Sequence, residues 1–224
     1  MDGNGRWARQ QGLDRVRGHE RGTTSVRESV EQCAELGVEA LTLYAFSEEN
    51  WQRPRLEIKF LMGLLKRFLV KERDNLMRND IRLVHAGRRD RLPDDVLAEL
   101  DASIEMSKGN RGMHLCLAIS YGGRAELVDG VTAIASQVRT GDLRPEDIDE
   151  DLISHHLYQP ELPFPDLLIR TASEMRVSNF LLWQISYAEI YVTDVCWPDF
   201  RREHLWEAFL EFGKRTRKFG AVKP

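Results

Sequence analysis

Residues 38–46 read VEALTLYAF, and the polar stretch SEENWQRP follows them directly at residues 47–54. A short apolar run between polar residues is typical of a strand that is buried in a parallel sheet. Residues 23–36, before this run, have apolar residues at helical spacing, and Gly37 after them is a residue type that commonly terminates helices. The segment after it begins at Pro54 and repeats apolar residues at helical spacing to about Leu76. These residues therefore predict a helix, a buried strand and a second, longer helix.

The same alternation of strands and helices continues along the chain. Further strands are predicted over residues 81–86, 113–120, 166–170 and 189–192, and further helices over residues 94–107, 124–139, 147–157 and 201–218. Strands that alternate with helices form a mainly parallel sheet with helices on both faces. We therefore expect one α/β domain over residues 1–224, which is long enough to bury a sizeable core.

The composition is that of an ordinary globular enzyme, with 42 % hydrophobic and 30 % charged residues. A net charge of −4 disfavours a dedicated nucleic-acid-binding protein. The three cysteines are far apart, which disfavours a zinc site or a disulfide framework and indicates a reducing compartment. No apolar run is long enough to span a membrane, and residues 1–20 do not resemble a signal peptide. We therefore expect a cytoplasmic protein.

Polar residues follow three of the predicted strands at the points where those strands end. Residues 47–53 follow the first strand, residues 121–124 follow the third, and Arg170 with Thr171 ends the fourth. In open parallel sheets, ligands bind outside the carboxyl ends of the strands. The positions of these residues therefore indicate an active site at that edge of the sheet.

Residues 1–8 read MDGNGRWA and suggest a metal-assisted diphosphate site. Asp2 is a hard oxygen ligand of the kind that Mg²⁺ prefers. Gly3 and Gly5 allow the backbone to approach a ligand closely, and Arg6 can bind two phosphate oxygens at once. A glycine-rich turn without a ligand is the alternative, and the octapeptide alone does not distinguish the two.

The sequence holds enough candidate anion ligands for two diphosphate groups. Arg170 ends an apolar strand, where an unpaired charge would be costly. Residues 176–180 are predicted to begin a helix with Ser178 as its N-cap, and helix N-termini bind phosphate. Glu189 lies in the apolar run SYAEIYV, where a metal ion or a buried ion pair would satisfy it. The candidate anion ligands are Arg6, Arg15, His19, Arg53, Arg170, Arg176 and Ser178.

The helix after Pro54 is unusually rich in large apolar residues, and it allows two interpretations. The first is a core helix, and the second is a helix with one face lining a channel for a long hydrocarbon. Its apolar residues are Leu56, Ile58, Phe60, Leu61, Leu64, Leu65, Phe68 and Leu69.

Six blocks of the sequence resemble the signature blocks of the cis-prenyltransferases (isoprenyl transferases), and most closely those of bacterial undecaprenyl diphosphate synthases. The blocks are MDGNGRWA, RVRGHERG, FSEENWQRP, YGGR, IRTASEMRVSNFLLWQ and YAEIYVTDVCWPDF. They span essentially the whole chain in the order and spacing of the family. The resemblance implies a parallel sheet flanked by helices, an apolar tunnel and a homodimer.

The family's reaction adds isopentenyl diphosphate repeatedly to an allylic diphosphate, usually farnesyl diphosphate, and depends on Mg²⁺. Each addition forms a Z double bond, and the resemblance implies a long product such as undecaprenyl diphosphate, the precursor of a lipid carrier for cell-wall synthesis. Because this product is very apolar, we expect a transient contact with the inner face of the membrane. The sequence has no DDxxD motif, which disfavours a trans-type synthase.

The resemblance also implies a role for each matching residue. Asp2 and Glu189 would hold Mg²⁺, and Asp2 and Asn50 would be catalytic. After the carbon–carbon bond forms, one proton must leave. An amide is a poor base, so we expect the leaving diphosphate to accept this proton while Asn50 positions the diphosphate. The allylic diphosphate would be bound by Gly3, Asn4, Gly5, Arg6, Arg15 and His19, with Trp7 beside them. The loop over the reacting ends of the substrates would contribute Ser47, Glu48, Glu49, Trp51 and Arg53. The isopentenyl diphosphate would be bound by Arg170, Arg176, Val177 and Ser178.

The sequence departs from the family's pattern at several positions. Ala172 and Ser173 stand where the family usually has two glycines, and Met175 stands where many bacterial members have a polar residue. Glu48 replaces a small hydroxyl residue, and Lys218 replaces the arginine of a tail that can reach the partner subunit's isopentenyl site. We expect these changes to affect the affinity for substrates and to leave the class of reaction the same.

The resemblance implies an apolar strand ahead of the Asp2 block, but only Met1 precedes Asp2 in this sequence. Either that strand lies in an upstream segment that is missing here, or the sequence opens at a true terminus, and the residues do not distinguish the two. Two alternatives to a long-chain synthase remain open. One is a short- or medium-chain cis-prenyl diphosphate synthase, and the other is a non-catalytic subunit of a prenyltransferase complex. The presence of Asp2, Asn50 and Glu189 argues against the non-catalytic alternative.

Overall fold

The structure is a computed structural model that describes residues 1–217. The residue Lys218, at which the sequence departs from the family, lies outside the described residues. Three short 3-10 helices cover Glu48–Gln52, Pro145–Asp147 and Trp197–Asp199. The α-helices are α1 (Asn4–Gln10), α2 (Arg15–Glu35), α3 (Arg55–Lys71), α4 (Arg73–Arg78), α5 (Asp94–Ser107), α6 (Gly123–Thr140), α7 (Glu150–His155) and α8 (Arg202–Gly213), and the strands are β1 (Ala40–Ser47), β2 (Arg82–Ala86), β3 (His114–Tyr121), β4 (Leu167–Arg170) and β5 (Glu189–Val192).

The chain falls into two compact units. Among the described residues, the first unit comprises residues 1–33, 164–176 and 184–217. The second unit comprises residues 34–163 and 177–183. A single domain over residues 1–224 stays a prediction.

The second unit contains a parallel sheet with the strand order β1-β3-β2. Leu117 of β3 lies opposite Leu43 of β1 on one side and His85 of β2 on the other. Since β3 is paired on both sides, it is buried at every residue except the half-buried His114. The sequence analysis predicts the buried strand at residues 38–46 instead, but in β1 only Leu43 and Phe46 are buried, so that prediction holds only in part.

The first unit contains the parallel pair β4-β5, in register from Leu167 opposite Glu189 to Arg170 opposite Val192. In these two strands only Arg170 is buried, and the side chain of Ile190 is 50 % exposed. Every strand pair over residues 1–217 is parallel, which confirms the predicted parallel α/β class.

Helix α2 begins at Arg15, earlier than the sequence predicts. The prediction misses its first turns because Gly18 and Gly22 interrupt the apolar pattern there. A Cβ at Gly18 would overlap the carbonyl group of Asn4. A Cβ at Gly22 would lie 2.8 Å from Asn4 Oδ1 and 2.9 Å from the Trp197 ring. Both glycines therefore allow α2 to approach the chain that carries the MDGNGRWA block.

Other helix boundaries also differ from the prediction. The helix predicted from Pro54 to Leu76 is divided at the buried Glu72 into α3 and α4. The helix predicted from residue 147 begins later, where the Asp149 side chain caps it by accepting a hydrogen bond from Leu152 N at 2.8 Å. Helix α8 ends at Gly213, before the predicted end at residue 218.

The apolar residues of α3 are mostly half-buried. Of the eight that the sequence analysis names, Leu69 alone is buried, and the side chain of Leu56 is 83 % exposed. The core interpretation of this helix therefore holds only at Leu69 and at Met62, which is also buried. The apolar tunnel stays a prediction, and a half-buried apolar face is compatible with it. Over residues 1–217, no helix combines the length and hydropathy that crossing a bilayer requires.

We expect Leu100→Ala to lower the free energy of unfolding by about 2–5 kcal/mol, because Leu100 of α5 is fully buried and its loss leaves a cavity. Leu56→Ala is the matched control in the same unit, and it should change the free energy by no more than about 0.5 kcal/mol. Urea denaturation followed by circular dichroism measures both. Equal losses from the two variants would contradict the assigned burial.

Candidate active site

Asp2 is held by its backbone in the first unit. Its N–H donates to Thr171 Oγ1 at 2.8 Å, and the same hydroxyl donates to the Asp2 carbonyl at 3.0 Å. The Trp197 N–H donates to that carbonyl at 2.9 Å. Thr171 is buried and directly follows β4, so the end of this strand fixes the position of Asp2.

The Asp2 carboxylate faces the buried arginine at the end of β4. Arg170 Nε donates to Asp2 Oδ2 at 2.8 Å, and Arg170 Nη1 donates to the carbonyl of Arg176. The Arg170 side chain is only 10 % exposed, whereas that of Asp2 is 36 % exposed. Asp2 therefore neutralises the charge that the sequence places at the end of an apolar strand.

The second carboxylate of this region, Glu174, binds two arginines. Arg6 Nη2 donates to Glu174 Oε1 at 2.8 Å, and Arg176 Nη1 pairs with Glu174 Oε2. Arg6 Nη1 also donates to the Ala172 carbonyl at 2.7 Å. Hydrogen bonds thus connect Asp2, Arg170, Arg176, Glu174 and Arg6 in one network, the Asp2 network.

The backbone around the Asp2 network adopts conformations that favour glycine. Gly3 has φ of 98°, and a Cβ there would lie 2.9 Å from both Ala172 Cβ and Cys196 Sγ. Ala172 and Ser173 have φ of 61° and 56°, in the left-handed region that costs other residues about 1–2 kcal/mol each. The two positions at which the sequence departs from the family's glycines are therefore positions where glycine fits better.

Other residues of the MDGNGRWA block contact α2 or the last 3-10 helix. A Cβ at Gly5 would lie 3.2 Å from Arg15 Nε, so Arg15 lies against this glycine. Trp7 Nε1 donates to Asp199 Oδ2 at 2.7 Å. Asn4 Nδ2 donates to the Met1 carbonyl at 3.1 Å, and the buried Asn4 Oδ1 accepts no hydrogen bond from a described residue. His19 lies half-buried on α2 between the two closely approached glycines.

Glu189 does not join the Asp2 network. Arg215 Nη1 donates to Glu189 Oε2 at 2.8 Å and to the Ile190 carbonyl at 3.1 Å. The Glu189 side chain is 31 % exposed. Of the two alternatives that the sequence leaves open for Glu189, the structure shows an ion pair, and this pair is partly exposed.

The donor set of the first unit fits a single Mg²⁺ ion beside a diphosphate. Asp2 Oδ2 binds Arg170, and Oδ1 accepts no hydrogen bond from residues 1–217. Over the same residues, no group of three or more His, Cys, Asp or Glu side chains could hold a metal ion. Mg²⁺ would therefore need substrate oxygens and water to complete its shell, which is its usual arrangement at phosphate sites.

The residues that follow β1 form the 3-10 turn Glu48–Gln52 in the second unit. Asn50 Oδ1 accepts a hydrogen bond from Ser47 N at 3.2 Å, and the Ser47 side chain accepts one from the Asn50 backbone in return. Arg53 Nη1 donates to Glu57 Oε1 at 3.1 Å, at the start of α3. This reciprocal capping fixes the direction of the Asn50 amide.

Three other side chains of this 3-10 turn are also held in place. Trp51 Nε1 donates to Ser120 Oγ at 2.9 Å, and Ser120 Oγ donates to Glu48 Oε1 at 3.1 Å. The Arg91 guanidinium lies 4.8 Å from the centre of the Trp51 ring and pairs with Glu48. Partial burial is the largest single influence on the Glu49 pKa and raises it. Hydrogen bonds from Asn179 Nδ2 at 2.8 Å, from the backbone and from Ser47, together with the charge of Arg124, outweigh burial and lower the Glu49 pKa.

The helix predicted to begin at residues 176–180 does not form. Ser178 and Asn179 form a turn between bends at Arg176 and Phe180, and Ser178, Asn179 and Leu181 have φ of 51°, 61° and 45°. Left-handed residues interrupt the repeat of helical hydrogen bonds, so Ser178 is not an N-cap. Asn179 instead caps α6, because its Oδ1 accepts from Arg124 N at 2.8 Å and its carbonyl accepts from Gly123 N at 2.7 Å.

The sequence analysis places Thr171 at the predicted active-site edge without giving it a role, and it does not single out Glu174 or Asn179, although all three lie in the block IRTASEMRVSNFLLWQ. Their position in the sequence carries a signal. Thr171 follows the arginine that ends a strand, and Glu174 is the one carboxylate between Arg170 and Arg176. A carboxylate among predicted anion ligands should attract those arginines in the absence of an anion.

Comparisons with known proteins agree with this geometry. The family model described as "Putative undecaprenyl diphosphate synthase" matches residues 1–220. An isoprenyl transferase of Chlorobaculum tepidum is 50 % identical over 98 % of this chain and 83 % of its own length. An isoprenyl transferase of Geobacter sulfurreducens is 47 % identical over 98 % of this chain and 89 % of its own length.

Two solved structures are also similar. Lavandulyl diphosphate synthase from Lavandula x intermedia, in complex with dimethylallyl diphosphate, superposes with a TM-score of 0.96 and 37 % identity, over 98 % of this chain and 95 % of that chain. A probable undecaprenyl diphosphate synthase from Campylobacter jejuni has a TM-score of 0.78 and 35 % identity, over 90 % of this chain and 92 % of that chain. With its sequence blocks, parallel α/β fold and these relatives, the chain belongs to the undecaprenyl diphosphate synthase family of isoprenyl transferases.

Proposed function

We propose that the protein is a Mg²⁺-dependent cis-prenyltransferase that adds isopentenyl diphosphate to an allylic diphosphate, with farnesyl diphosphate as the primer. The observation that carries this proposal is the Asp2 network. It combines a carboxylate with one available oxygen and three arginines, Arg6, Arg170 and Arg176. The five side chains of the network carry three positive and two negative charges, and this local surplus of positive charge suits a polyanion.

The arginines supply what the departure of a diphosphate requires. When the allylic carbon–oxygen bond breaks, negative charge develops on the leaving diphosphate, and Arg6 stabilises this charge at the allylic site. Arg170 and Arg176 bind the isopentenyl diphosphate, with Ser178 and Val177 beside it. The isopentenyl double bond then forms the new carbon–carbon bond at the allylic carbon. Mg²⁺ bound by Asp2 would add further charge neutralisation at the leaving oxygens. The second metal-binding role, which the resemblance gives to Glu189, would require its ion pair with Arg215 to open.

Asn50 positions the group that accepts the proton after this bond forms. Its Oδ1 is occupied by Ser47 N, and its Nδ2 donates to no residue that the structure describes. An amide N–H can bind a phosphate oxygen, and the leaving diphosphate is a far better base than the amide. We therefore propose that the leaving diphosphate accepts the proton and that Asn50 orients the diphosphate for this transfer.

A long-chain product such as undecaprenyl diphosphate, used as a lipid carrier in cell-wall synthesis, is the proposal for product length. The half-buried apolar residues of α3 support it, because a growing hydrocarbon needs an apolar surface. From the family resemblance we also propose a homodimer, a cytoplasmic location and a transient contact with the inner face of the membrane. The second candidate is a short-chain synthase, and the likeness to lavandulyl diphosphate synthase favours it.

Product analysis tests the reaction and separates the candidates. The protein is incubated with farnesyl or dimethylallyl diphosphate, radiolabelled isopentenyl diphosphate and Mg²⁺, and the products are chromatographed. We expect a ladder from farnesyl diphosphate that ends at the undecaprenyl length. A single condensation product would support the short-chain candidate, and the absence of any product would support a non-catalytic subunit.

We expect Asp2→Asn to lower kcat by about 100-fold or more, because the variant removes the metal-binding charge. The fold should persist, since Asp2 is anchored by its backbone and an asparagine oxygen can still accept from Arg170. Asp14→Asn, at an exposed carboxylate of the same unit, is the control. EDTA should stop turnover by the wild type, and added Mg²⁺ should restore it. If Asp2→Asn turned over at the wild-type rate and still depended on Mg²⁺, Asp2 would not be the metal ligand.

We expect Asn50→Ala to lower kcat by about 100-fold but to weaken binding of inorganic pyrophosphate by no more than about fivefold, because the single hydrogen bond from the amide serves mainly to orient the diphosphate for proton removal. Gln52→Ala, an exposed amide in the same 3-10 turn, should leave kcat near the wild-type value. Steady-state kinetics and calorimetry measure the two quantities. A parallel loss of kcat and of pyrophosphate affinity would show that Asn50 serves binding instead.

A further inference from the structure

Glu174 lies between the two arginines to which the proposed function assigns different diphosphates. One carboxylate oxygen binds Arg6, assigned to the allylic diphosphate, and the other binds Arg176, assigned to the isopentenyl diphosphate. The Glu174 side chain is only 18 % exposed, whereas those of Arg6 and Arg176 are 44 % and 63 % exposed. The carboxylate is thus partly shielded from water, while the arginines it binds remain open to a ligand.

The contacts of a carboxylate with two guanidinium groups resemble those of a diphosphate. Each carboxylate oxygen accepts from a separate arginine, as two oxygens of a bound diphosphate would. A diphosphate that uses the same N–H groups must displace Glu174. One that uses other N–H groups would still lie beside its negative charge, so Glu174 opposes diphosphate binding in either arrangement.

Arg6 does not depend on Glu174 for its position. Its Nη1 donates to the Ala172 carbonyl at 2.7 Å, and this carbonyl is fixed by the left-handed backbone of Ala172 and Ser173. Arg176, by contrast, pairs its guanidinium with no described residue other than Glu174. Loss of the Glu174 charge would therefore leave Arg6 in place and make Arg176 available.

We propose that Glu174 is a counter-ion that competes with diphosphate groups for Arg6 and Arg176, and thereby limits how tightly the protein holds them. The inference rests on the proposed function, and it adds a positioning residue that acts through the two arginines. After each condensation, one diphosphate is a leaving group and the other is attached to the lengthened chain. A resident carboxylate that pairs again with Arg6 promotes the departure of the leaving group before the next addition.

The experiment compares the wild type with Glu174→Gln, which keeps the size of the side chain and removes its charge. Inorganic pyrophosphate with Mg²⁺ is the probe, titrated by calorimetry into the full chain. We expect the Kd for pyrophosphate to fall about tenfold in the variant, because two partly exposed ion pairs no longer compete. The inhibition constant of pyrophosphate in the elongation assay should fall by a similar factor.

Two control variants separate competition from a change in net charge or a structural effect. Glu174→Asp keeps the charge and should stay within about threefold of the wild type. Glu28→Gln removes a different carboxylate of the first unit, one that pairs with Arg201 at 3.4 Å, and should leave the Kd unchanged. In an Arg176→Met background, the effect of Glu174→Gln should shrink, since one of the two competing pairs is already absent.

The outcomes are distinct. The inference is supported if Glu174→Gln binds pyrophosphate more tightly than the wild type and if this difference shrinks as salt is added. Equal or weaker binding in this variant, when the wild type binds pyrophosphate, overturns the inference and leaves the proposed function standing. If neither protein binds pyrophosphate, the inference falls together with the assignment of a diphosphate site to the Asp2 network.

Discussion

Two successive residues at the end of β4 hold Asp2, and the arrangement of the first unit depends on them. Arg170 binds the carboxylate, and the Thr171 hydroxyl binds both the N–H and the carbonyl of the same residue. Since β4 pairs with β5 through Arg170, the strand register sets where the carboxylate lies. A parallel strand that ends in one charged and one hydroxyl residue can thus fix both the position and the charge of a distant segment.

The left-handed backbone after Thr171 is the cost of this arrangement. Ala172 and Ser173 have positive φ, and such conformations cost about 1–2 kcal/mol each unless glycine adopts them. The strain turns the Ala172 carbonyl toward Arg6 and brings Glu174 between Arg6 and Arg176. Local strain of this kind is typical of binding sites, where a few residues must orient several charges.

The sequence predicts the fold better than the contacts of the site. Apolar runs and helical spacing identify every strand and most helices, because burial imposes its own period on the sequence. The start of α2 is missed because Gly18 and Gly22 serve close approach to Asn4 rather than burial of a helix face. The helix at residues 176–180 is wrongly predicted because Ser178 is a good N-cap by type, whereas its left-handed backbone excludes that role. Arg170 lies far along the chain from Asp2, and Arg215 lies far from Glu189, so residue spacing holds no record of these pairs. The same is true of Arg6 as a partner of Glu174, whereas Arg176 lies only two residues from Glu174.

Asn179 illustrates how few residue types a position can accept. It combines a left-handed backbone with an amide that donates to Glu49 and accepts from the first turn of α6. Aspartate would tolerate the backbone, but it would place a second negative charge against Glu49. Serine is too short to serve both neighbours, and glycine offers no side chain at all. Asparagine alone among the natural residues joins these properties, so variation at this position should be nearly absent even where the surrounding turns differ in sequence.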